Sequence, residues 1–351
     1  MKIDQFKSFE KSFEISPEYM NGNLDIVSIS SVGAPRDKTI CFVKNMRLLT
    51  NLLVNMSDDG VCLGIIFEKE FFEKEKEKIF NEINQVKEIL FYSTVDNVDL
   101  AMSKLSKPFY DEINEHLNDL VDGRQMGTTD IHPTAWIAQG VFIGENVQIA
   151  ANVKIYSGCV VMSQSCIGEG TVLFPNVTIY RQVTIGKSCR IHSGCVIGTD
   201  GFGYNYDGNQ HLKVWHLGRV IINDNVELGA GNCIDRGTFD DTVIEEGCRF
   251  DNMVHIAHNC HIGKKVLFCG QSGVAGSTKI GARTAISGNV GIAPNIEIGE
   301  DCQIGGNAGV TSNLSSGSVV SGYPARPLRE WLRSNAVLRK LSLNNKKDSN
   351  L

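Results

Sequence analysis

The densest run of chemistry-bearing side chains in this 351-residue sequence is Asp251-Asn252-Met253-Val254-His255-Ile256-Ala257-His258-Asn259-Cys260-His261. A histidine changes charge near neutral pH, so it suits proton transfer as a general base, and His258 is the candidate for that role. Asp251, about six residues earlier, is placed to orient the His258 ring or stabilise its charge. Three histidines in seven residues also raise a metal site, or a set of turn-position histidines without function. Which reading applies depends on the elements that carry them.

Those elements follow from a repeat. An aliphatic or aromatic residue recurs at every sixth position from Ile131 to Ile197 and again from Ile244 to Val310. Six does not fit the 3.6 spacing of a helix face, and being even it lets each marked residue of an extended segment point inward. Short strands joined by turns, each burying one aliphatic, read as a mainly β fold: a left-handed parallel β-helix of hexapeptides. Three hexads make one triangular coil, so residues eighteen apart stack at the strand spacing of roughly 4.8 Å. Gly276 then lies directly above His258. His255 and His261, one hexad apart, belong to different faces, so within one chain they cannot converge on a metal, although neighbouring copies could supply partners. Stiff, flat faces of this kind pack against copies of themselves, which leads us to expect a homotrimer with sites in the clefts between subunits.

The net charge of −6 leaves no strongly basic domain for nucleic acid. Of the eleven cysteines, Cys159, Cys189, Cys195, Cys248, Cys260 and Cys302 each follow a marked aliphatic by four residues, as small packing residues of the repeat. No CxxC pair occurs, so reduced, packed thiols are expected rather than disulfides or zinc. Charges fill the first residues where a signal peptide needs an apolar run, and no segment has the length to span a bilayer. A soluble, cytoplasmic protein is the expectation.

Four regions are expected: an α/β domain over 1–105, a helical connector over 106–130, the β-helix over 131–322, and a C-terminal helix with a polar tail over 323–351. The repeat is interrupted by a long Gly- and aromatic-rich loop at 199–218, and by four extra residues between Ile234 and Ile244. Long loops inside a compact repeat usually serve function. Arg326, Arg329, Arg333, Arg339 and Lys340 make the C-terminal helix locally basic.

Five blocks stand out in order: Ile197-Gly198-Thr199-Asp200-Gly201-Phe202-Gly203-Tyr204, Leu217-Gly218-Arg219-Val220, Ile234-Asp235-Arg236-Gly237, Asp240-Asp241-Thr242, and Asp251-Asn252 through Ile256-Ala257-His258-Asn259. Together they resemble the UDP-3-O-acylglucosamine N-acyltransferase family of lipid A biosynthesis. The N-terminal region is similar to the family's uridine-binding domain through Phe42-Val43-Lys44-Asn45. The resemblance implies transfer of a 3-hydroxyacyl chain from acyl carrier protein to the 2-amino group of UDP-3-O-(3-hydroxyacyl)glucosamine. It makes His258 the base and the Gly276 backbone N–H the oxyanion donor. It puts Phe42 on the uracil ring and Asn45 at its edge. Gly201, Phe202, Gly203, His211 and His216 would hold the nucleotide sugar, with Asn252, His255 and Asn295 as further substrate contacts. No metal or resident cofactor is implied, since the donor is the carrier's phosphopantetheine thioester. The basic C-terminal helix would dock that acidic carrier. Two positions depart from the family pattern: Leu48 stands where a tyrosine is common, and Asn295 where a second histidine is. Gly305, Gly306 and Gly309 near the expected acyl groove suggest a long chain. The alternative is another hexapeptide nucleotide-sugar acyltransferase, an acetyl-CoA N-acetyltransferase or a UDP-GlcNAc O-acyltransferase. A non-catalytic scaffold and a zinc-dependent trimer are the readings outside that class.

Overall fold

The structure is a computed structural model that describes all residues except 16–23, 57–60, 116, 118, 323–326 and 349–351. The hexads fold as the sequence dictates. Short rungs, mostly of two residues, assemble into three parallel sheets of ten, nine and nine strands, and where the repeat is unbroken successive rungs on a face are eighteen residues apart, as in Ile256 opposite Val274 and Val274 opposite Ile292. The marked aliphatics form one continuous buried column down the axis of the left-handed β-helix. The buried cysteines of the repeat belong to the same column, and all eleven thiols are free. Many hexad turns pass through left-handed backbone, at Asn259 (φ 58°) and Asn295 (φ 57°) among others. Asn tolerates that region better than most side chains, which explains its frequency there.

His255–Ile256 lies on one nine-stranded face, together with Val196–Asp200, Cys233–Arg236, Gly273–Val274, Gly291–Ile292 and Gly309–Val310. His261–Ile262 lies on the other nine-stranded face, and Arg249–Phe250 on the ten-stranded one. His258 occupies the corner where the chain leaves the first of these faces.

The loop at 199–218 is not irregular. It holds an antiparallel hairpin, Tyr204–Tyr206 with His211–Lys213. The hairpin leans on helix Val98–Asn114, where Asn205 Nδ2 donates to the Asp99 carbonyl at 2.7 Å and the Trp215 N–H donates to Ser106 Oγ at 3.0 Å. The N-terminal domain is a five-stranded sheet with one antiparallel edge strand, Glu14–Ile15. Helices Met46–Met56 and Lys69–Ile83 pack into one of its cores. Helix Val98–Asn114 packs into the other, so the expected boundary at 105 falls inside a continuous helix. That second core also takes in Val214, Leu217 and Phe239 of the two interruptions. The interruptions therefore serve as the docking surface that fixes the domain to the solenoid, and Arg36 clamps the joint by donating to the Phe239 carbonyl at 2.9 Å.

The C-terminal helix spans Leu328–Asp348, with Arg329, Arg333, Arg339 and Lys340 exposed; Arg326 lies outside the described residues. Among the described residues no helix is long and apolar enough to cross a membrane.

Candidate active site

The register places Gly276 against the His258 imidazole. A Cβ on Gly276 would stand 2.6 Å from His258 Cε1 and 2.7 Å from Nε2, so only glycine leaves the ring its place. On another side Gly201 closes in, where a Cβ would meet His258 Cδ2 at 2.7 Å. The Gly276 N–H has no acceptor among the described residues. The ring borders a groove of about 800 Å³ whose wall includes Ala257, Ala275, Ala293 and Val274. Where Gly273, Gly291 and Gly309 succeed one another on the face, a Cβ would meet nothing within 4 Å, so the groove stays open along the solenoid axis.

The proton positions on His258 follow from its neighbours. Asn259 Oδ1 accepts the Thr238 N–H at 3.0 Å, which identifies that atom as the amide oxygen. The same oxygen stands 2.9 Å from His258 Nδ1, so in the neutral ring Nδ1 carries the hydrogen and Nε2 keeps a free lone pair. Thr238 Oγ1, 3.2 Å from Nδ1, adds a second polar neighbour. Thr238 and Asn259 are brought together by the four-residue slip, which carries 237–241 across the His258 corner.

His216 is the largest surprise. Instead of reaching outward to a nucleotide sugar, it is 1% exposed and packs edge-to-face on His258, with ring centroids 5.3 Å apart. Its Nδ1 donates to the Val214 carbonyl at 3.0 Å, while Nε2 is buried with no partner among the described residues. Burial, reinforced by the neighbouring His258, pushes its pKa down to about 4. A neutral ring can be buried where an imidazolium cannot.

The remaining expected site residues divide. Phe202 (86% exposed), His255 and Asn295 border the same groove as His258 and Gly276. Gly203 lies over His216, where its Cβ would meet Cε1 at 3.1 Å. His211 is exposed on the hairpin and tilts against Tyr206, away from this groove. Asp251 does not orient His258. It sits at the preceding corner, where its carboxylate accepts the Gly270 N–H at 3.0 Å and the Asn252 N–H at 2.8 Å. Asn252 is at that corner too, accepting the Ala230 N–H at 2.7 Å. Seven residues along a triangular coil lead to another corner of the prism, so one chain cannot join these two groups to His258. Phe42 is 7% exposed inside the N-terminal core, where its ring packs rather than stands free for stacking. Asn45 caps helix Met46–Met56, its Oδ1 accepting the Leu48 N–H at 3.0 Å. Gly305 and Gly306 follow Ile304 of the ten-stranded face and border Ser321 and Gly288, so of the three glycines expected at an acyl groove only Gly309 lies on the face that carries this one.

Sequence reasoning missed Asp235. It lines the groove at 8% exposure, its Oδ1 accepts the Thr199 hydroxyl at 3.1 Å, and Oδ2 stands 3.6 Å from His255 Nε2. Burial raises its pKa, against the lowering effect of the nearby His255 and the Thr199 bond. Its place in the Asp-Arg-Gly block, beside the slip, was the available signal. The neighbouring Arg236 is structural: it is buried, with Nε on the Gly218 carbonyl at 2.8 Å and Nη2 on the Arg181 carbonyl at 3.1 Å.

Residues 125–201 match the GMPPB C-terminal domain family, and residues 277–312 the bacterial transferase hexapeptide (six repeats) family. The UDP-3-O-acylglucosamine N-acyltransferase of Anaeromyxobacter sp. (strain Fw109-5) is 51% identical over 197 residues, covering 54% of this chain and 56% of that protein. The protein of that name from Porphyromonas gingivalis (strain ATCC 33277) is 60% identical over 150 residues, covering 43% of each chain. The crystal structure of UDP-N-acetylglucosamine O-acyltransferase from Moraxella catarrhalis superposes with a TM-score of 0.45 at 29% identity, over 56% of this chain and 72% of that one. The alignments thus span about half the length of the curated relatives. The solenoid of this chain is built from hexapeptide repeats, and about half of the chain is similar to the UDP-3-O-acylglucosamine N-acyltransferases.

Proposed function

We propose that the protein is a lipid A acyltransferase that moves a 3-hydroxyacyl chain from acyl carrier protein to the 2-amino group of UDP-3-O-(3-hydroxyacyl)glucosamine. The observation that carries this reading is a histidine with Nδ1–H committed to Asn259 and Nε2 left basic, beside an unpaired backbone N–H at the mouth of an apolar groove. The names of the curated relatives supply the substrate class.

Each step maps onto one group. The neutral amine attacks the thioester carbonyl, and the N–H proton it sheds passes to His258 Nε2. The carbonyl oxygen becomes an oxyanion, which the Gly276 N–H meets as a preorganised donor. Asn259 Oδ1, holding Nδ1–H, stabilises the imidazolium that forms. The C–S bond then breaks, and the imidazolium returns its proton to the departing phosphopantetheine thiolate. The open stretch along Gly273, Gly291 and Gly309 suits an aliphatic chain. The chain needs no metal or resident cofactor for these steps. Because Asp251 and Asn252 occupy a different corner, their part in substrate binding requires a second copy, which accords with a homotrimer. The exposed basic C-terminal helix suits docking of an acidic carrier protein.

The test is a reconstitution with the purified chain, UDP-3-O-(3-hydroxyacyl)glucosamine and a series of donors. The reading expects an amide product with hydroxyacyl carrier protein and little with acetyl-CoA, with a preference for long acyl groups. Preferred use of acetyl-CoA, or acylation of a sugar hydroxyl, would transfer the chain to the alternative hexapeptide classes.

A further inference from the structure

The acyl-transfer steps above use His258 and Gly276 and leave one buried charge in the same groove without a task. Asp235 is the only carboxylate among the described residues that line it. On the face, Ile234 pairs with Ile256, so Asp235 lies directly beneath Ala257. Going up the solenoid, the same column continues as Ala257, Ala275 and Ala293. A methyl group therefore serves the fold at this position, and the carboxylate is the exception.

Three nearby carboxylates have cations. Asp200 pairs with Lys213 at 2.5 Å, Asp241 with Arg219 at 2.8 Å, and Asp119 with Arg181. Asp235 has the Thr199 hydroxyl on one oxygen, while its other oxygen looks across 3.6 Å to a half-exposed His255. Arg236, the next residue, points away into Gly218 and Arg181. A carboxylate offers about four lone-pair directions, so acceptor capacity remains facing the groove. Asp200, Cys233, His255, His258 and Cys260 are the other titratable groups that act on it.

The chemistry of the acceptor explains such a group. A hydroxyl has one proton, which the base removes. An amine has a further N–H, which in an apolar groove must find an acceptor or cost the desolvation of an unpaired donor. We infer that the Asp235 carboxylate recognises the acceptor's 2-amino group, accepting an N–H hydrogen bond from the same nitrogen whose other proton faces His258 Nε2. Asp235 then selects an amino over a hydroxyl acceptor. This rests on the acyl-transfer reading proposed above and adds to it the group that makes the enzyme an N-acyltransferase.

The experiment compares UDP-3-O-acylglucosamine as substrate with UDP-3-O-acylglucose, which has a hydroxyl in place of the amine, as a competitive inhibitor. The wild-type chain should bind the amine at least tenfold more tightly. Asp235→Asn keeps an acceptor for Thr199 but turns the groove-facing oxygen into a donor. It should raise KM for the amine roughly ten- to a hundredfold and leave the inhibition constant of the hydroxyl analogue unchanged. Undiminished discrimination in a folded Asp235→Asn, with wild-type turnover intact, overturns the inference alone. Should that variant not fold, the wild-type comparison still decides: equal affinity for the two analogues overturns it. Absence of any wild-type amide formation instead sinks the underlying reading.

Discussion

Replacing Gly276 with alanine is the sharpest probe of the stacked-coil geometry. The new Cβ would lie 2.6 Å from His258 Cε1 and 2.7 Å from Nε2. Non-bonded carbons settle at about 3.5–4.0 Å, so the ring must retreat by about 1 Å. Retreat is opposed by Gly201 on another side and by the 2.9 Å contact of Nδ1 with Asn259, so the ring tilts and loses that bond. A displacement of about 1 Å in a reacting group lowers turnover roughly a hundredfold. Gly276 is not among the left-handed residues, so alanine is free of backbone strain, and the backbone N–H of the oxyanion site is retained. The substitution thus separates ring position from oxyanion donation. Steady-state kinetics at saturating substrates, with a melting curve alongside, should show kcat down roughly a hundredfold and stability lowered by about 1–3 kcal/mol. A folded Gly276→Ala with kcat within threefold of wild type would refute the stacking argument.

Two further substitutions address the supports of the imidazole. Asn259→Gly removes the amide without straining a residue at φ 58°; it should lower kcat roughly tenfold or more and cost about 1–3 kcal/mol, because the Thr238 N–H loses its acceptor. Wild-type kinetics in that variant would remove Asn259 from the mechanism. His216, held at about 4 against an ordinary 6.5, binds a proton less readily folded than unfolded. Its contribution is therefore intact above pH 6.5 and is lost as pH falls from 6.5 towards 4, by about 2 kcal/mol at pH 5. His216→Gln, which keeps a donor for the Val214 carbonyl, should flatten the fall in denaturation midpoint between pH 7 and pH 5. Parallel pH dependence in the two proteins would rule this out.

The solenoid was legible because one rule, an inward aliphatic every sixth residue, specifies strand, face and stacking together. That rule brought Gly276 to His258 and kept His255 apart from His261. It failed wherever the repeat breaks. Asp251 looked near His258 in sequence, yet a seven-residue step turns a corner of the prism. His216 and Thr238 reach the site through the hairpin and the slip, whose paths depend on helix Val98–Asn114 and are encoded by no period, while Asp235 stands on the rung just before the slip, whose offset from the next rung the period does not give. Phe42 shows a different limit: an apolar strand residue can serve core or ligand, and the structure gives it to the core.

The central claim is that Nε2 of His258 receives the proton released when the amide forms. Turnover of His258→Ala with hydroxyacyl carrier protein and UDP-3-O-acylglucosamine measures this most directly. The account expects a folded protein with kcat reduced by roughly two to four orders of magnitude. Undiminished turnover in that variant would contradict it.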